Sequence, residues 1–218
     1  MKITIWSDFA CPFCYLGETL LRQVAEEAGL RLSLTAAENA IEVDFRAYEL
    51  DPEAPAVPTV DLHQHFVTSH GVSPDQATEQ MKLIKKMGDR AGLDYRLEGV
   101  QVCSTLDAHR LLKYAEAQGD TERVLRLNFS LFKANFTDNL RLSDHDVLCR
   151  IAEDCGYDGA AVRQLLAGDE YKEAIRSDEA AADALGLELV PYMRFSDGEV
   201  LQGVLTKGML RKAIGGRE

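Results

Sequence analysis

The sequence predicts an α/β core interrupted by a helical insertion, and three observations carry that prediction. A strand-like opening runs directly into a helix and then a second strand; the stretch from Leu62 to Ala184 carries only helical patterns; and strand, turn, strand and helix return at the end. "KITIWSDF" has β-branched and aromatic residues at strand density, and "CYLGETLLRQVAEEAG" spaces Leu16, Leu20, Val24 and Ala28 along one helical face. "IEVDFRAY" alternates Ile41, Val43, Phe45 and Ala47 with polar neighbours, the pattern of a strand with one face more buried than the other. The intervening "LRLSLTAAENA" is ambiguous and receives no assignment. "ELDPEAPAVPT" contains three prolines and is predicted to be loop or extended linker.

Within the insertion, "SPDQATEQMKLIKKMGDRAG" pairs Ser73 as N-cap with Pro74 in the first turn and sets Ala77, Met81, Ile84 and Met87 on one face. Helical segments follow at "TLDAHRLLKYAEAQG", "DTERVLRLNFSLFKANF", "SDHDVLCRIAEDCG", "DGAAVRQLLAG" and "DEYKEAIRSDEAAADALG", with no fixed repeat among them. "LVPYMRF" and "VLQGV" then read as strands around an "SDGE" turn, before a closing helix at "TKGMLRKAI". The expected division is 1–61 as the first part of the core, 62–184 as the insertion and 185–218 as the second part.

With 218 residues and 46% hydrophobic content, the chain can bury a core without disulfide or metal staples. Its formal charge of −12 opposes nucleic acid and anionic membrane surfaces as partners and favours a protein or a small molecule. No apolar run has membrane-spanning length, and "MKITIWSDF" lacks the apolar core and cleavage site of a signal peptide, so the expected compartment is the cytoplasm. Five cysteines, an odd number, argue against a secreted disulfide framework.

The chemistry centres on "SDFACPFCYLG". Cys11 follows a strand and opens a helix, so its sulfur falls among unpaired amides at the positive end of the helix dipole, where thiolate is favoured over thiol. Pro12 suits the first turn, and the three-residue offset brings Cys14 onto the same face, close enough for a disulfide. In that geometry Cys11 is the exposed nucleophile, and Cys14, one turn inside, resolves a mixed disulfide by attacking Cys11. A structural zinc site needs about four ligands, and His63 and His65 in "DLHQH" point away from one another at a spacing of two. Two buried structural thiols are the other reading of the pair.

Together with "FRAYELDPEAP", "STLDAHRLLKYA", "LFKANFTDNLRLSDHDVL", "ALGLELVPYMRF" and "LQGVLTKGMLRKAI", that motif resembles the DsbA-like thiol–disulfide oxidoreductases, and within them the FrnE-like branch. The resemblance spans nearly the whole chain. It implies a thioredoxin-like fold with an inserted helical domain, and it makes Pro191 the cis-proline beside the active site, preceded by Val190. It implies thiol–disulfide exchange with protein or small-thiol substrates and an unidentified redox partner. No bound cofactor is implied beyond the redox-active disulfide, with glutathione as a conceivable co-substrate. Phe13 departs from DsbA proper, which has histidine between its cysteines; an aromatic ring offers the sulfur no hydrogen bond, so a less oxidising protein is expected. Glutathione-dependent isomerases and transferases of the 2-hydroxychromene-2-carboxylate isomerase and kappa-class type share the fold but typically have serine at the position of Cys11. A non-catalytic peptide-binding module is the third reading.

Cys103, Cys149 and Cys155 are expected to be buried free thiols; Cys149 and Cys155 fall on one predicted helix, about 9 Å apart along its axis. The resemblance leaves that C-x5-C pair a possible redox motif. Asp8 is expected to cap the active-site helix or relay protons, and His109 to be a hydrogen-bonded helix residue or to line the substrate groove. Met81 and Met87 read as core.

Overall fold

In the computed structural model, which describes residues 1–215, β1 (Lys2–Ser7) leads through a four-residue loop into α1 (Pro12–Glu27), and β2 (Arg31–Ser33) and β3 (Ala40–Ala47) follow. A run of helices comes next: α2 (Leu62–His70), α3 (Pro74–Ala91), α4 (Leu106–Ala117), α5 (Thr121–Phe136), α6 (His145–Asp154), α7 (Gly159–Ala167) and α8 (Lys172–Ala184). The chain closes with β4 (Tyr192–Phe195), β5 (Val200–Gln202) and α9 (Lys207–Gly215). The five strands form one sheet in the order β2-β3-β1-β4-β5, with β2, β3 and β1 parallel and β4 and β5 antiparallel. This is a thioredoxin fold carrying a helical insertion.

Central β1 is where the two faces of the sheet are read out. Successive side chains of a strand point to opposite faces, and Ser7 reaches α1 while Trp6, with Arg46 beside it on β3, reaches Asp178 of α8. The predicted alternation of β3 is observed, with Ile41, Val43, Phe45 and Ala47 all buried. In α3 the Ser73 hydroxyl accepts from the Gln76 amide while the Gln76 side chain accepts from the Ser73 amide, a reciprocal cap that fixes its start.

Several expectations need correction. Ala28 is not on the buried face of the first helix: it lies past the last turn and is exposed, and Ala25 takes the core position. The unassigned stretch contains the short strand β2, whose three residues are too few for a periodicity to register. Helix α2 carries no predicted counterpart; its His63 ring is bonded to the Pro74 carbonyl and the Thr78 hydroxyl, each at 3.0 Å, tying it to α3. Cys155 is the residue that terminates α6 rather than part of it, because its amide closes onto Ile151 and Ala152 and the chain turns at Gly156, where φ is 88°.

Candidate active site

Cys11 is the N-cap residue of α1, with extended backbone (φ −96°, ψ 113°), and Pro12 occupies the first helical turn. The sequence dictates this locally: proline has no amide to lose at a helix start and its ring fixes a helical φ. Cys14 follows one turn in, and the face Cys14, Glu18, Leu21, Ala25 is buried throughout. The expectation of an exposed Cys11 is not met. Its residue is 5% exposed against 0% for Cys14, because the loop ahead of β4 lies over it and the Cys11 thiol donates to the Val190 carbonyl at 3.7 Å.

The Val190–Pro191 peptide bond is cis. Distant in sequence, this dipeptide is brought against α1 by the pairing of β4 with β1. Gly17 makes the approach feasible: a Cβ there would lie 2.9 Å from Pro191 Cγ and 3.4 Å from Leu205 Cδ1, inside the usual contact range. Phe13 is half-buried and packs on the core, whereas Leu189 and Val204 on the neighbouring loops are exposed.

The insertion grips the active-site loop from the other side. Tyr95, fully buried, donates to the Pro12 carbonyl at 2.5 Å, and the Asn135 amide donates to the Phe9 carbonyl at 2.9 Å. Asp8 is 1% exposed and accepts from four groups: the Ala10 amide (3.1 Å), the Thr105 hydroxyl (2.7 Å) and His109 Nε2 (3.3 Å) on one oxygen, and the Leu50 amide (2.7 Å) on the other. Burial raises the Asp8 carboxyl, but His109, the Leu50 amide and the Thr105 hydroxyl outweigh it and hold the group below its ordinary 3.8. Asp8 therefore does not cap α1 with its side chain; it braces the loop before it and borders a cavity of about 70 Å³ that Cys103 also lines. His109 is hydrogen-bonded on α4 and buried, its ring 4.8 Å from that of Phe9, and it borders a small hollow of about 10 Å³ with Ser7, Phe9 and Lys113.

Glu18, unremarked in the sequence, is a second acid beside the cysteines. It is 1% exposed, accepts from the Ser7 hydroxyl and the Asn128 amide, each at 2.6 Å, and burial raises it from 4.5 to about 7 against the opposing pull of Ser7, Asn128 and His109. Its signal was available: a glutamate four residues after Cys14 shares the helix face that the apolar spacing marks as buried. Cys14 itself is pushed well above the ordinary thiol range, by burial first and then by the Cys11 sulfur beside it. Cys103, Cys149 and Cys155 are also buried free thiols, and Cys155 donates to the Ser130 hydroxyl at 3.6 Å. Burial raises both Cys149 and Cys155.

Fold and site together define a thioredoxin-fold protein with a dithiol at the start of its first helix. Residues 2–215 match the DSBA-like thioredoxin domain, and the chain belongs to that family. Among solved structures it is similar to a probable DsbA oxidoreductase of Streptomyces coelicolor, with TM-score 0.87 and 28% identity over 98% of this chain and 88% of that one. A 2-hydroxychromene-2-carboxylate isomerase superposes with TM-score 0.69 at 17% identity, covering 99% and 95% of the two chains. The cytosolic disulfide reductase DsbM from Pseudomonas aeruginosa gives TM-score 0.61 at 15% identity over 99% and 93%, and has also been solved with GSH. At those identities the last two likenesses speak to fold alone.

Proposed function

We propose that the protein is a thiol–disulfide oxidoreductase in which Cys11 attacks and Cys14 resolves. The observation that carries this reading is the inequality of two adjacent thiols. Cys11 caps the helix against the Val190 carbonyl, while Cys14 lies one turn deeper with its proton held tightly by burial. Cys11 thiolate attacks a substrate disulfide, forming a mixed disulfide and releasing the first substrate thiolate. Cys14 then attacks Cys11, closing the Cys11–Cys14 bond and releasing the second. The two electrons gained by the substrate leave the protein oxidised, and a thiol co-substrate of the glutathione type returns it to the dithiol. Exposed Leu189 and Val204, beside Val190 and Pro191, offer an apolar edge to a peptide or small organic disulfide. A reducing compartment such as the cytoplasm suits a reductase or isomerase of this kind. Phe13, with no donor for the Cys11 sulfur, fits the FrnE-like reading of the motif.

Insulin reduction by wild type, Cys11→Ser and Cys14→Ser tests the assignment. Cys11→Ser is expected to be inactive, and Cys14→Ser to accumulate a mixed disulfide that cannot resolve. Full activity in Cys14→Ser would instead favour a glutathione-dependent transferase or isomerase, which has no use for a resolving thiol. Inactive wild type, with peptide still bound, would leave a binding module.

A further inference from the structure

The Cys11 sulfur has to meet a substrate disulfide, yet the Val190 carbonyl lies on it at 3.7 Å and the residue is only 5% exposed. Residues 186–191 form this roof. Its outer side, with Glu188 and Leu189, is exposed, and its inner side, with Val190 and Pro191, is buried. The roof is held down from two sides. The Gly203 amide donates to the Pro191 carbonyl at 3.0 Å, and the Pro191 ring rests on α1 at Gly17, where no side chain stops it. We propose that Gly17 sets substrate selectivity: by letting the roof down onto Cys11, it restricts exchange to slim, flexible disulfides and holds bulky or folded ones off the sulfur.

Such selectivity rests on the exchange reading above, and its cause is a close approach. A Cβ at Gly17 would lie 2.9 Å from Pro191 Cγ, 3.4 Å from Leu205 Cδ1 and 3.7 Å from Met193 Cε. Carbons in contact sit roughly 3.5 to 4.0 Å apart. Leu205 and Met193 present the ends of flexible side chains and can turn aside, whereas Pro191 presents a ring fused to the backbone and cannot. Helix α1 is the fixed partner, since Cys14, Glu18 and Leu21 are buried and Tyr95 holds its first turn. A methyl group at position 17 therefore lifts the roof, by about 0.6 Å to reach ordinary contact. The Val190 carbonyl shares a peptide plane with the Pro191 nitrogen, so lifting the ring draws the carbonyl off Cys11.

In the mixed disulfide the substrate sulfur is bonded to Cys11 Sγ and takes a place that the roof borders. The groups nearest that sulfur decide whether it fits. An unbranched chain passes, while a branched substituent or a folded surface meets the Val190 carbonyl and the exposed Leu189 above it. One methylene more or less in a pocket shifts discrimination roughly 10- to 200-fold, so a single methyl group on the roof's seat is enough to change it. Gly17 touches neither sulfur nor substrate and acts through Pro191, so it is a positioning residue.

Labelling and turnover together test the role. Reduced wild type and Gly17→Ala are alkylated with iodoacetamide, a slim reagent, and with pyrene maleimide, a bulky one, and the labelled cysteine is identified by peptide mass spectrometry. Turnover of hydroxyethyl disulfide and of insulin is measured in parallel, with dithiothreitol as reductant. In Gly17→Ala the ratio of bulky to slim labelling at Cys11, and the ratio of insulin to hydroxyethyl disulfide in kcat/KM, are each expected to rise about tenfold, with Cys14 as slow to label as in wild type. Ratios within about twofold of wild type, or an equal gain in labelling at Cys14 from a loosened core, overturn the selectivity role. If Gly17→Ala does not fold, wild type decides: its preference for the slim reagent at Cys11 is expected to exceed that of free glutathione by about tenfold, and a preference no greater overturns the roof. A wild type that turns over neither disulfide overturns the exchange reading, while the labelling ratios still report the roof, so the two failures are told apart.

Discussion

Asp8 and Glu18 flank the same pair of cysteines, are buried to the same degree, and yet sit on opposite sides of their ordinary titration points. The difference lies in their donors. Asp8 collects two backbone amides, a hydroxyl and a histidine, enough to overcome desolvation. Glu18 collects one hydroxyl and one amide side chain, which do not. Burial alone therefore does not fix the charge of a carboxyl; the number and kind of hydrogen bonds to its ionised form decide it. One acid is a permanent brace for the loop that presents Cys11, and the other is free to change its proton.

Removing the brace is expected to have the largest effect. Asp8→Ala strands the Leu50 amide, the Thr105 hydroxyl and His109 without their acceptor, and a loss of about 3 to 5 kcal/mol in urea denaturation is expected. A loss below about 1 kcal/mol would mean the four bonds are not holding the loop.

The two acids also predict opposite slopes of stability against pH. Glu18 binds its proton more tightly folded than unfolded, so its contribution is complete below 4.5 and is lost as pH rises towards about 7. At about 1.4 kcal/mol per unit, wild type is expected to lose about 3 kcal/mol relative to Glu18→Gln between pH 4.5 and 7. Asp8 binds its proton less tightly folded, so its contribution is present above 3.8 and is lost as pH falls through its depressed folded value. That acid limb is expected to persist in Glu18→Gln and vanish in Asp8→Ala. Parallel curves for all three proteins would erase the contrast.

Smaller effects sharpen the picture. Tyr95→Phe removes only the hydroxyl bonded to the Pro12 carbonyl, which keeps its place in the helix, so a cost of about 1 kcal/mol is expected, with slower mixed-disulfide formation as the helix start loosens. The smallest effect is expected from Cys149→Ala with Cys155→Ala: both thiols are buried in the insertion, and insulin reduction is expected to be unchanged. A changed rate would reopen a redox role for that pair.

The sequence by itself determined the elements whose information is local. Alternation in 41–47, the Ser73 cap, and proline one residue after a cysteine at a strand–helix junction each describe contacts within a few residues, and each is found in place. The α/β core with its helical insertion followed from their order. Tertiary structure alone decided the rest, because the deciding contacts join residues far apart in the chain. Burial of Cys11 depends on Val190, the grip on the loop on Tyr95, Thr105, His109 and Asn135, and the state of Glu18 on Asn128. Only the Ala10 amide is near Asp8 in sequence; the other three donors to Asp8, and Asn128 at Glu18, are distant and leave no local trace. A carboxyl's charge is set by the groups that replace its water, and of those groups Thr105, His109 and Asn128 arrive only when the insertion closes onto the first helix and the loop before it.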